Sequence, residues 1–151
     1  MNVVGVMSGT SLDGVDFVLV DIEGGRKIKY KDRHQVTFPK ALKGQLSKVA
    51  EGELSFRESQ AVHYKLGEFY SKSLEKIKAK NKWKFELIGL HGQTVYHFPP
   101  LGTTQIGEAS YLKKFDVPVV SDFRSKLMVL KTQGAPLAPV LHNIVMESLT
   151  K

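Results

Sequence analysis

The chain has 151 residues, 42% of them hydrophobic and 25% charged, and a formal net charge of +7. That length and balance suit one globular domain with a real core, and no apolar run reaches membrane-span length and no signal-peptide pattern opens the chain. The absence of cysteine excludes disulfides and thiol chemistry, so the expectation is a soluble, intracellular protein.

Met1–Met7 reads as a buried strand, and Val15–Ile22 alternates as a second. A third strand is expected over Lys27–Thr37, ended by Phe38-Pro39, with a short helix over Ala41–Ala50 beginning just after the proline. Ser55 with Glu58 fits a capping box that opens a longer helix, on which Ala61, Val62, Leu66, Phe69, Leu74 and Ile77 recur near helical spacing. His63 lies on this helix and reads as a packing or surface residue, since no partner at metal spacing accompanies it. The lysines between 72 and 84 alternate with Leu74, Glu75, Ile77 and Trp83, the pattern of a solvated helix face. No Arg-rich patch interleaved with aromatics appears, so the net charge is not read as a nucleic-acid surface; it suits ATP or another anion equally.

Trp83–Leu90 reads as a central strand ending at His91-Gly92-Gln93-Thr94. Val95–Phe98 and Thr103–Ile106 flank Pro99-Pro100-Leu101-Gly102 as a small hairpin. Glu108–Phe115 is expected to be a short helix, and Val117–Ser121 a buried strand ending at Asp122-Phe123-Arg124. Pro136 and Pro139 bracket the start of a helix through Leu141 to Leu149. Three strands followed by alternating helices and strands give an α/β fold with a mixed sheet. Polar clusters follow Met7, Leu90 and Ser121, and ligands of open α/β sheets bind at the carboxyl ends of strands, so one shared site is expected.

Residues 8–16 read Ser-Gly-Thr-Ser-Leu-Asp-Gly-Val-Asp. Such a turn exposes backbone N–H groups, Ser8, Thr10 and Ser11 add donors, and Asp13 can hold a divalent ion beside bound phosphates. It is neither a Walker A loop nor a Rossmann fingerprint, because it lacks GxxxxGK[ST] and GxGxxG and a strand follows it. The bland alternative is a polar hairpin turn. His91 and His97 do not make a zinc site, having no third ligand at a plausible interval.

MSGTSLDGVD (7–16), HGQTVYHFPP (91–100), QIGE (105–108), VVSDFR (119–124) and QGAPLAP (133–139), in that order, resemble the anhydro-N-acetylmuramic acid kinases from Met1 to about His142. The resemblance implies the N-terminal lobe, over residues 1–151, of an actin-like sugar-kinase (ribonuclease H-like) fold. It also implies a cytoplasmic bacterial transferase of peptidoglycan recycling, which cleaves the 1,6-anhydro ring and phosphorylates O6 with ATP and Mg²⁺. On that resemblance Gly9, Thr10, Ser11, Leu12, Asp13, Gly14, Val15 and Asp16 match the ATP phosphate segment, with Asp13 as a candidate Mg²⁺ ligand. Asp122 matches the catalytic carboxylate that activates the attacking water. His91, Gln93, Thr94, Gln105 and Glu108 match the region lining the sugar pocket, and Arg124 can bind a phosphate or the lactyl carboxylate through a bidentate fork. For Asp122 the bland reading is a strand-end turn or cap, and for Arg124 a structural ion pair.

Two departures from the family pattern stand out. Leu127 occupies the place of an acidic residue, and Lys131-Thr132 replaces a Gly-Gly pair, which restricts backbone approach near Gln133-Gly134. The family's enzymes are also more than twice as long, with a second lobe that supplies the adenosine pocket. The expected partners are therefore a small amino sugar, ATP and a missing C-terminal lobe or a second copy, with no nucleic acid or membrane. The competing reading is a non-catalytic sugar- or phosphate-binding or interaction lobe descended from a kinase.

Overall fold

A computed structural model describes residues 1–24 and 27–129. Their strands are β1 (Asn2–Ser8), β2 (Gly14–Glu23), β3 (Lys27–Thr37), β4 (Leu87–Phe98), β5 (Gly102–Ile106) and β6 (Val119–Ser121). The helices are α1 (Lys40–Ala50), α2 (Phe56–Asn81), a 3-10 segment (Ala109–Phe115) and α3 (Ser125–Val129). The helix expected through Leu141–Leu149, with Lys131-Thr132 and Gln133-Gly134, lies outside the described residues.

The sheet runs β3-β2-β1-β4-β5, with β6 beside β4. β1 to β3 form an antiparallel meander, whereas β4 and β6 run parallel to β1. This is the mixed α/β sheet with flanking helices that the order of patterns predicts. Period-2 alternation sends Val4 and Val6 of β1, and Val15, Phe17 and Leu19 of β2, to one buried face. Against it α2 lays Val62, Leu66, Tyr70, Leu74 and Ile77, joined by Leu42 and Leu46 of α1 in a single core. The Ser55–Glu58 capping box is present, and Lys72, Lys76 and Lys80 form the solvent face of α2. Among the described residues no helix is long and apolar enough to cross a membrane.

The principal correction concerns β4. The apolar run from Trp83 predicts a strand ending at Leu90, but the strand begins at Leu87 and continues through His91–Thr94 to Phe98. One of its edges changes partner on the way: β1 lies alongside from Leu87 to Gln93, while on the other edge β6 pairs Ile88–Leu90 and β5 pairs Gln93–Phe98. Polar residues persist in the strand because β5 takes over their backbone groups on the edge where β6 ends. Trp83 precedes the strand as a core plug, its indole N–H donating to Asp32 Oδ2 at 2.8 Å. Residues 109–115 coil as a 3-10 helix, with Glu108 as its cap and not its first turn. The last expected strand shortens to Val119–Ser121, with Pro118 carbonyl accepting from Ile88 N–H at 3.0 Å.

Candidate functional site

Because β1, β4 and β6 are parallel, their polar extensions emerge at one edge of the sheet. Ser8 stands opposite Gln93, and Leu90 opposite Ser121, so β1 and β6 flank β4 with about 10 Å between their axes, and β1 reaches two residues farther, Met7 and Ser8. The segment after β1 is a turn closed by Leu12 N–H to Gly9 carbonyl at 3.2 Å, not a helix. Gln93 Nε2 ties that turn to β4 by donating to Gly9 carbonyl at 3.1 Å.

A cavity of about 350 Å³ opens at this edge, and His91, Gln105, Glu108 and Asp122 line it with His63 and Ser125. Gln93 and Thr94 line instead a second depression of about 240 Å³ with Thr10 and Leu12. The two are coupled through Gln105 Nε2, which reaches Thr103 Oγ1 at 2.7 Å and Thr94 Oγ1 at 3.4 Å.

Glu108 is the most firmly held acidic group in the first cavity. Its Oε1 accepts from Ser110 N–H at 2.8 Å and its Oε2 meets His63 Nε2 at 3.1 Å. The Ser110 bonds, then His63, hold this carboxyl below the usual carboxylate range against the opposing effect of burial. Helix α2 approaches closely here, since a Cβ on Gly67 would lie 2.4 Å from Glu108 carbonyl oxygen. His63, read from sequence as a packing or surface residue, is thus part of the wall. Its partner lies 45 positions away, and only the unexplained Gly67, one turn later on the same face, hinted at a close approach.

His91 is fixed by complementary partners. Nδ1 donates to Gly92 carbonyl at 2.9 Å, and Nε2 accepts from Arg124 Nε at 2.9 Å, because a guanidinium only donates. Burial, reinforced by the Arg124 charge, pushes this imidazole below the usual histidine range, against the pull of Gly92 carbonyl. Arg124 therefore stands one bond from the cavity wall. Asp122 adopts a left-handed φ of 62° and is exposed, while its Oδ1 accepts from Ser125 N–H at 3.3 Å and from Ser125 hydroxyl. It caps α3 and faces the cavity at once, so cap and cavity-facing carboxylate are not exclusive readings.

The turn after β1 is more open. Thr10, Ser11 and Asp13 are exposed, and Leu12 holds a left-handed φ of 55°. Asp13 Oδ1 accepts from Lys43 Nζ at 3.0 Å, and Lys43, then Ser11, hold its carboxyl below the usual range. Ser8 departs from expectation: it is buried against α2, its hydroxyl 2.6 Å from that of Tyr70, and offers nothing to a ligand. Gly14, Val15 and Asp16 belong to β2. Gly14 answers to the neighbouring strand, because a Cβ there would sit 2.4 Å from Val36 carbonyl oxygen. Val15 is wholly buried, and Asp16 Oδ1 takes Arg33 Nε at 3.1 Å and Nη2 at 2.8 Å. The part of this segment open to a ligand is Gly9–Asp13.

Among the described residues no three His, Asp or Glu side chains gather to hold a metal ion. Mg²⁺ with nucleotides is commonly held by one or two carboxylates and the phosphates themselves, and the exposed Asp13 carboxylate beside two hydroxyls suits that division.

Comparison with known proteins gives a family match over the whole chain: the model described as Anhydro-N-acetylmuramic acid kinase covers residues 1–151. Curated relatives carry the same description. One from Bacillus cereus is 37% identical, covering 100% of this chain and 43% of the relative. One from Sulfurimonas denitrificans is 34% identical over 97% of this chain and 42% of its own length. One from Haemophilus influenzae is 37% identical over 93% and 38%. The chain thus spans about two-fifths of the length of these relatives.

Proposed function

The chain belongs to the anhydro-N-acetylmuramic acid kinase family, and from that premise we propose that residues 1–151 are the N-terminal lobe of an ATP-dependent sugar kinase. In this reading the 1,6-anhydro amino sugar enters the cavity lined by His91, Gln105, Glu108 and Asp122, with Thr94, Gln93 and Arg124 behind its wall. The observation that carries it is the parallel alignment of β1, β4 and β6, which puts a phosphate-type turn and a strand-end carboxylate on one edge.

The chemistry divides between the two sides. Asp122 takes a proton from water as its oxygen bonds to the anomeric carbon. The bond from that carbon to O6 breaks, and O6 accepts the γ-phosphoryl group of ATP, leaving ADP and N-acetylmuramic acid 6-phosphate. Phosphoryl transfer needs positioning and charge neutralisation above all, and backbone N–H groups of Gly9–Asp13 supply part of it. When bound, Mg²⁺ near Asp13 neutralises phosphate charge. A second lobe outside this chain supplies the adenosine pocket, and the setting is cytoplasmic peptidoglycan recycling.

The test is ADP release by the purified chain with ATP, Mg²⁺ and 1,6-anhydro-N-acetylmuramic acid, beside Asp122→Asn. Sugar-dependent release that disappears in the variant supports the kinase reading. Sugar binding without release supports a binding lobe that needs its partner for turnover. The absence of both binding and release would overturn the proposal.

A further inference from the structure

We propose that His63 is a positioning residue that aims the Glu108 carboxylate at a hydroxyl or amide N–H donor of the ligand; this rests on the cavity being the sugar pocket. Three bonds from this one α2 residue converge on two consecutive residues of the cavity wall. Gly107 N–H donates to His63 Nδ1 at 3.0 Å, Glu108 N–H donates to His63 carbonyl at 3.1 Å, and His63 Nε2 meets Glu108 Oε2 at 3.1 Å. A backbone N–H can only donate, so Nδ1 carries the lone pair and the ring proton sits on Nε2, pointing at Glu108. The imidazole is therefore a one-tautomer spacer between the backbone of the wall and its carboxylate.

The opposite oxygen of Glu108 is equally constrained, by Ser110 N–H at 2.8 Å. With Ser110 on one side and His63 on the other, an ionised carboxylate, which has about four acceptor sites, keeps a lone pair for a further donor. Glu108 lines the cavity and is partly exposed, so that lone pair can meet a ligand there. Such an acceptor-only group recognises hydroxyl and amide N–H donors and repels anions. The chemistry it selects is the uncharged, donor-bearing face of an amino sugar, not its lactyl carboxylate or a phosphate. Gly67, which brings α2 against Glu108 backbone, keeps the spacer short enough to act.

Two substitutions separate aiming from scaffolding. His63→Gln places an amide donor near the Nε2 position and keeps the bond to Glu108. His63→Asn places an amide oxygen near the Nδ1 position and keeps only the bond from Gly107. Affinity of the chain for 1,6-anhydro-N-acetylmuramic acid is measured by calorimetry, and the Glu108 side-chain carboxyl resonance by NMR. Positioning predicts that Gln binds within about threefold of wild type and Asn about tenfold or more weaker. The reverse order, or equal loss in both, overturns it. If wild type binds no sugar, the proposed function fails instead, and the carboxyl resonance decides the positioning claim. Displacement in Asn but not in Gln upholds it, and any other pattern overturns it.

Discussion

The cavity wall and the turn after β1 share a sheet edge but differ in how their polar groups are held. In the wall, His63, His91, Gln105 and Glu108 each have partners in the protein, and both histidines are locked into single tautomers of opposite sense. In the turn, Thr10, Ser11 and Asp13 are exposed, and the Asp13 carboxylate is held by the Lys43 and Ser11 side chains. Under the proposed function the contrast follows from what each side would recognise. The hydroxyl- and amide-bearing face of an amino sugar is distinguished by directional hydrogen bonds, which require acceptors and donors already in place. Phosphates are held by charge and backbone N–H groups, which an open glycine turn can present without rigid side chains. On that proposal the wall is preorganised, whereas the turn is left open to its ligand.

The largest effect expected is on the chemistry that joins the two regions. Asp122→Asn should lower sugar-dependent ADP release by about a hundredfold or more. Sugar affinity should stay close to wild type, because the substitution changes neither Glu108 nor His91; a matched loss of affinity and turnover would make Asp122 a structural cap only.

Gly67→Ala breaks the wall without touching the turn. Its Cβ would lie 2.4 Å from Glu108 carbonyl oxygen, so α2 and the 107–108 segment must separate. A destabilisation of about 1–3 kcal/mol in urea unfolding is expected. Sugar affinity should fall while ATP·Mg²⁺ binding is retained, and equal losses of both would erase the distinction between the regions.

A smaller, pH-dependent effect should come from His91. Its folded-state pKa is lowered, so the stabilisation it contributes is full above the ordinary histidine value of 6.5 and is lost as pH falls below it. Protonation puts a hydrogen on Nε2 and removes the acceptor for Arg124. The urea midpoint should therefore drop between about pH 7 and pH 5, above the range where Glu108 titrates, and His91→Gln should lose part of that slope. Identical slopes in the two proteins would show that His91 is not the titrating group.

Least of all is expected from Lys43→Ala. The Lys43–Asp13 pair is exposed, and exposed pairs contribute little to stability, so the melting temperature and sugar affinity should not change measurably. ATP·Mg²⁺ affinity should shift, since Asp13 loses its protein cation; an unchanged nucleotide affinity would place the phosphates away from this turn.

Much of this organisation is legible in the sequence where local physics decides it. An apolar run marks β1, alternation marks β2, and the Ser55–Glu58 box with Ala61, Val62, Leu66, Phe69, Leu74 and Ile77 near helical spacing marks α2. The continuation of β4 through His91–Thr94 is not legible, because it depends on β5 succeeding β6 along one edge while β1 holds the other. The burial of Ser8 against Tyr70 and the reach of His63 to Glu108 are likewise long-range facts, spanning 62 and 45 positions. Side chains that read as ligand donors, such as Ser8, or as packing or surface residues, such as His63, exchange roles once the helix docks.

The most direct measurement is a calorimetric titration of the folded 151-residue chain with 1,6-anhydro-N-acetylmuramic acid, with no nucleotide present and with Glu108→Gln in parallel. A preorganised wall should give saturable binding of the sugar alone, weakened about tenfold or more by Glu108→Gln. Sugar binding that appears only after ATP and Mg²⁺ are added, or that ignores the Glu108 substitution, would contradict a wall assembled within this lobe.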